Sequence, residues 1–170
     1  TATGARPTVS LPLGHNLITL TATDAAGNTG TDTVLIIVRD TTPPVLNDIT
    51  ITPPCLWPPN HKLVPYEQGE NLFVDAVDAV DLDPQVRVVA AASSEPANGL
   101  GDGDTSPDIF FDSSSFCLRS ERSGNRDGRA YFVTLEAVDA SGNRSETTIT
   151  VGVGAVHDQS GHNCPALPPD

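Results

Sequence analysis

The chain has no methionine, a single lysine (Lys62) and few aromatic residues: one tryptophan, two tyrosines and five phenylalanines among 170 residues. Positive charge is scarce as a class. Nine basic residues face twenty-two acidic ones, for a formal net charge of −13. Neutralising a phosphate backbone requires clustered cations, so a nucleic-acid partner is excluded and an anionic membrane surface is disfavoured. Cations are the natural counterparts of such a surface. No apolar run approaches the roughly 20 residues that span a bilayer. Residue 1 is not methionine and no signal peptide is present, which reads as a processed or excised piece. Signatures of catalysis are missing as well. His15, His61, His157 and His162 have no nucleophile elbow nearby, and Ser113–Ser115 is followed by no recognisable base. Three cysteines without a Cys-x-x-Cys pair exclude a standard zinc site.

Turn formers and β-branched residues fill the space. Glycine (14) and proline (15) are abundant, alongside many Thr, Val and Asp, a mixture that favours short strands and tight turns over helices. The most informative feature is an internal repeat. Ile18–Val38 reads ITLTATDAAGNTGTDTVLIIV and Val133–Val153 reads VTLEAVDASGNRSETTITVGV, aligned without gaps at an offset of 115 positions. Each copy is a period-2 run, an Asp-Ala-x-Gly-Asn turn and a second period-2 run, which predicts a β-hairpin. Asp24 and Asp139 open these turns and are expected to accept backbone N–H groups within them. Repetition at this length implies tandem modules.

Arg39-Asp-Thr-Thr-Pro-Pro44 reads as a stiff linker, because residues before proline are pushed to extended conformations. Strands are expected near 45–51, 61–67, 71–78, 86–93, 109–120, 129–139 and 145–153, the number of an immunoglobulin-like sandwich. The expected fold is all-β: tandem immunoglobulin-like β-sandwich modules, the first one incomplete. The divisions are 1–40, half a module; 41–44, the linker; 45–156, a complete module; and 157–170, a tail. The first 40 residues hold about three strands, near Thr8–Leu11, His15–Thr23 and Thr31–Arg39, too few to close a sandwich.

Segment 8–40, with LPLGHNLITLTATDAAGNTGTDTV and then VRDTTPP, resembles the C-terminal half of a HYR (hyalin repeat) domain. Segment 53–158 resembles a module of large secreted bacterial multidomain proteins, through Leu56-Trp-Pro-Pro-Asn-His-Lys62, Ser94-Glu-Pro through Asp104, Leu118-Arg-Ser-Glu-Arg-Ser-Gly124, Asp127-Gly-Arg129 and Val156-His-Asp-Gln159. The resemblance implies an extracellular immunoglobulin-like sandwich with an adhesive or structural role and no established catalytic site. Cys55, Cys117 and the cysteine-bearing tail depart from its pattern.

Several constellations could carry chemistry. Asp102, Asp104 and Asp108 alternate on a glycine-bearing loop, an arrangement suited to calcium and equally to a solvated acidic turn. Asp75 and Asp78 belong to a second acidic run, expected to be a solubilising strand end. Asp40 lies between the modules, where a cation could stiffen the joint. Trp57, Asn60 and His61 suggest sugar stacking, against which stands packing of the lone tryptophan at a sheet edge. Arg119, Glu121, Arg122 and Arg129 are expected to form a surface ion network. A disulfide is expected between Cys55 and Cys117, both in the ordered module, with Cys164 left in the tail.

The composite expectation is a non-catalytic extracellular structural or adhesive module, calcium-stabilised, whose first unit is completed by strand addition from neighbouring copies or adjacent modules, head to tail into a fibre. A fragment excised from a longer tandem array is the competing expectation for that first unit. A carbohydrate-binding or spacer module of a larger secreted enzyme is the alternative.

Overall fold

A computed structural model of the chain describes residues 2–4, 6–98, 106–124 and 128–154. Every element among them is a strand. The chain divides into two compact units, Thr1–Thr41 and Thr42–Asp170, so the boundary falls in the expected linker.

The first unit is a hairpin of β1 (Gly14–Thr23) and β2 (Thr29–Val38), antiparallel with Ile18 opposite Val34. Its turn follows from one side chain. The Asp24 carboxylate accepts the Ala26 and Asn28 amides at 2.9 and 2.8 Å and the Asn28 Nδ2 at 2.8 Å. Gly27 closes the turn at φ +87°, a left-handed value that a Cβ disfavours. The expected strand at Thr8–Leu11 is not seen: among the described residues these four pair with none and carry no strand assignment. A period-2 pattern makes a strand only where a neighbour supplies the ladder.

The second unit holds β3 (Val45–Ile51), β4 (Cys55–Leu56), β5 (Leu63–Glu67), β6 (Leu72–Val77), β7 (Gln85–Ser93), β8 (Ile109–Phe111), β9 (Ser115–Arg119), β10 (Arg129–Val138) and β11 (Arg144–Val153). Its sheets run β4-β11-β10-β7, β3-β6 and β5-β9-β8. All of them contribute to one core that includes Leu56, Tyr66, Leu72, Val88, Phe116, Leu118, Tyr131, Val133, Leu135 and Val151. Strand alternation explains this membership. Tyr131, Val133, Leu135 and Ala137 share one face of β10 and are buried. Each fully buried Leu, Val or Phe contributes about 1.5–3 kcal/mol. Tyr66 stacks on Phe116 directly across the β5–β9 ladder, with ring centroids 4.8 Å apart.

The β10–β11 turn repeats the first unit's turn bond for bond. Asp139 accepts the Asn143 amide and Nδ2 at 2.8 and 2.7 Å, and Gly142 adopts φ +87°. Burial raises the Asp139 pKa, but the Asn143 hydrogen bonds outweigh it and leave the carboxyl below its usual range.

Two expectations need correction here. The strand expected over 109–120 is two strands, β8 and β9. Asp112 interrupts it by accepting the Ser114 and Ser115 amides, each at 2.8 Å, and so builds a turn at 112–114. The Cys55–Cys117 disulfide does not form, and Cys117 is a free thiol. Cys117 lies between the inward-facing Phe116 and Leu118 on β9, so it points out of its sheet. Cys55 sits on β4 beside Gly152 in a different sheet. Cys164 lies outside the described residues.

Candidate functional site

Three features of the structure could do chemistry or bind. The largest is a buried ionic cluster in the second unit, around the guanidinium of Arg129. This side chain is fully buried, because β10 starts with its Cβ on the core face, two residues before Tyr131. Its Nη1 bonds the Asp108 carboxylate and donates to the Tyr131 hydroxyl at 3.1 Å, and its Nη2 donates to the Pro96 carbonyl at 3.2 Å. Its Nε faces Glu95 Oε2 at 3.4 Å, and Glu121 Oε1 lies 3.7 Å from Nη1. Arg119 donates to the carbonyls of His61 and Pro107, both at 2.8 Å. The Tyr131 hydroxyl in turn donates to the Arg119 carbonyl at 2.8 Å. Arg122 is buried too, donating to the Ser123 carbonyl at 2.9 Å.

Glu95, Asp108 and Glu121 therefore meet the guanidiniums of Arg129 and Arg119, and Arg122 adds a third buried arginine. Balance of this kind is what permits charge to be buried at all. The group expected as a surface network is an internal one, because β10 and the segment after β9 turn these residues inward. Burial pushes the Glu121 carboxyl up, the hydrogen bond from His61 opposes that, and neighbouring Asp108 adds to the rise. Burial likewise raises Tyr131, to about 12. For Arg129 burial disfavours the charge, but Tyr131 and Asp108 more than restore it.

The Trp57–Lys62 loop reaches this cluster from the surface. His61 Nδ1 lies 3.1 Å from Glu121 Oε2, its side chain half exposed on one side and the carboxylate fully buried on the other. His61 adopts φ +61°, held there by its amide on the Ser120 carbonyl at 2.9 Å. Strain of this kind persists only where surroundings fix it. Ser120 Oγ also donates to the Pro58 carbonyl at 2.8 Å. Trp57 is 41% exposed rather than packed at the sheet edge as expected. The chain bends at Pro58, immediately after Trp57, and the core is occupied by Tyr66 and Phe116 among others.

The second feature is an acidic turn region. Asp78 Oδ1 accepts the amides of Val80 and Asp81 at 2.8 and 2.9 Å, which ends β6 as the sequence suggests. Asp75, by contrast, lies within β6 and is exposed. Carboxylate oxygens of Asp78 and Asp139 approach within 4.8 Å. Asp81 Oδ2 accepts the Ala140 amide at 2.8 Å and ties the two turns together. A shallow groove of about 480 Å³ opens beside them, lined by Asp81, Asp83, Arg87 and Asp139 among others. Its titratable lining groups are the three carboxylates and the Arg87 guanidinium. Of the expected calcium ligands, Asp102 and Asp104 lie outside the described residues, and Asp108 is bonded to Arg129.

The third feature is the hairpin itself. Among the described residues β1 and β2 pair only with each other, and Leu17 (69%), Leu20 (62%) and Leu35 (55%) are more than half exposed. The Thr33 amide on β2 is met by the Asp32 carboxylate at 2.8 Å, whereas β1 carries no acidic or basic side chain except His15. β1 is thus an edge without the charges that discourage pairing.

No protein-family model, curated protein or solved structure matches this chain.

Proposed function

We propose that this chain is a non-catalytic, extracellular structural or adhesive β module whose first unit is completed in trans by a neighbouring copy. One observation carries the reading: the β1–β2 hairpin exposes large apolar side chains and an uncharged edge strand. Two strands alone are marginal, and an open apolar strand pair is stabilised by addition of further strands. The acidic, lysine-poor composition and the resemblance to HYR and secreted bacterial modules support an extracellular setting. Calcium bound at Asp102 and Asp104 belongs to the same proposal, with Asp108 engaged instead by Arg129. Sedimentation velocity over a concentration series tests the reading. Association that grows with concentration supports it; a monomer of 17.7 kDa at every concentration contradicts it.

A carbohydrate-binding role is favoured by one specific observation, the exposed Trp57 beside a strained His61. Tyr66 and Tyr131 are buried, so Trp57 would be the sole tryptophan or tyrosine among the described residues available to stack on a sugar. Glycan binding abolished by Trp57→Ala would establish this second reading.

A further inference from the structure

Nearly all the described positive charge of the second unit is already engaged. Arg119, Arg122 and Arg129 are buried, and the exposed Arg87 and Arg144 both bridge to the Glu136 carboxylate, at 2.5 and 3.0 Å. Lys62 is different. It is exposed, and among the described residues no carboxylate lies within ion-pair distance of its ammonium. This free cation follows the exposed Trp57 by five residues, and Ser120 closes the loop between them. The Ser120 hydroxyl donates to the Pro58 carbonyl and its amide to the Lys62 carbonyl, each at 2.8 Å. Between those two anchors the Arg119 guanidinium holds the His61 carbonyl, and Glu121 holds His61 Nδ1. Asn60 Oδ1 accepts the Lys62 amide at 3.1 Å, which leaves the Nδ2 donors of this exposed side chain available. The Trp57–Lys62 stretch contains no acidic residue. It also stands at the end of the second unit away from the linker: β11 begins where Ser145 bonds the Pro44 carbonyl and ends at Val153, paired with Leu56. That strand spans roughly 25 Å.

We propose that this loop is a subsite for an acidic sugar, a hexuronate residue whose ring lies on the Trp57 indole and whose carboxylate meets the Lys62 ammonium. The proposal rests on the carbohydrate-binding reading above and names its ligand class. The free polar groups flanking the indole are donors: Trp57 Nε1, Asn60 Nδ2 and Lys62 Nζ. A matching ligand must therefore supply acceptors beside an apolar face. Sugar hydroxyls donate as readily as they accept, whereas a carboxylate only accepts. A hydrogen bond from an ammonium to a carboxylate is also roughly twice as strong as a neutral one. The unit's other carboxylates oppose an anion, but charges farther than about 8 Å are largely screened at physiological salt. Lys62 acts at contact distance, inside that range. Because Ser120, Arg119 and Glu121 already fix the loop, little freedom is lost when a ligand settles on it.

The chain has a single tryptophan, so its fluorescence reports on this loop alone. The experiment titrates the full chain with trimers of galacturonate, glucuronate and mannuronate, each against its neutral hexose trimer, at about 0.15 M ionic strength. Binding is read by fluorescence and by calorimetry. The expected result is a saturable emission change with a uronate trimer, which binds about threefold to tenfold more tightly than its neutral counterpart. Lys62→Gln, a change at an exposed side chain, should erase that preference while circular dichroism shows the fold intact. Trp57→Ala should abolish the calorimetric signal. Equal affinity for acidic and neutral trimers would overturn the uronate assignment and leave the carbohydrate reading standing. A uronate preference that survives Lys62→Gln would overturn the placement of the carboxylate on this loop. No heat and no emission change with any of the trimers would overturn both the subsite and the carbohydrate reading.

Discussion

Replacing Arg129 with methionine keeps an unbranched apolar stem and removes the charge at the centre of the buried cluster. Asp108 then loses its bonded guanidinium, and Glu95 loses the group 3.4 Å from its carboxylate. Both acids are buried, at 3% and 6% exposure, so water cannot replace the missing donor. Breaking a buried pair by removing one partner costs about 3–5 kcal/mol, most of it the stranded charge. A unit of roughly 130 residues unfolds with an entropy near 0.27 kcal/mol/K, so the melting temperature should fall by about 11–19 °C. Thermal unfolding followed by circular dichroism measures this. A double-mutant cycle isolates the cause: with Asp108→Asn added, the second loss should be much smaller than Asp108→Asn causes alone. A fall below about 4 °C, or strict additivity in the cycle, would refute the claim that the cluster holds the second unit together.

Glu121 has a pKa above its usual value, so the folded state holds this proton more tightly than the unfolded state. Its contribution is therefore present at low pH and lost as pH rises through the raised pKa. Denaturant titrations should show wild type losing stability relative to Glu121→Gln as pH rises above the ordinary carboxylate range; parallel curves would contradict this. Cys117 should alkylate in the native protein, but more slowly than an unfolded-chain thiol, because burial and the charges of Glu67 and Asp112 raise its pKa. With Cys117 free, Cys55 and Cys164 are the remaining candidates for a disulfide, and a non-reducing peptide map should find them joined. Gly142→Ala should cost about 1–2 kcal/mol, an entirely backbone effect, since a Cβ there meets nothing within 4 Å. Calcium should raise the melting temperature of wild type and not of Asp102→Ala with Asp104→Ala.

The strands were legible where the chain supplies its own signals. Val45–Ile51 and the two repeat hairpins emerge from period-2 runs and Asp-x-x-Gly-Asn turns, because turn and alternation are both local. Thr8–Leu11 shows the limit: its alternation is clear, but a strand also needs a neighbour, and no local pattern encodes one. β4, two residues long, exists only through a parallel contact with β11 and leaves no period to read. The ionic cluster was visible as residues but not as a site. Arg129 looks like any charged residue at a strand start, and only the position of Tyr131 two residues on marks it as facing inward. A buried arginine needs acids from distant segments, here 95, 108 and 121, and such convergence is a property of the fold. Trp57 misled for the complementary reason, since a lone tryptophan is usually core, yet here the core was already filled.

Amide hydrogen exchange of β1 as a function of protein concentration tests the central claim most directly. If a neighbouring copy completes the first unit, the amides of Gly14–Thr23 should exchange readily in dilute solution and gain protection as concentration rises, while those of β10 stay protected throughout. Protection of β1 that is unchanged across the same concentration range would contradict the account.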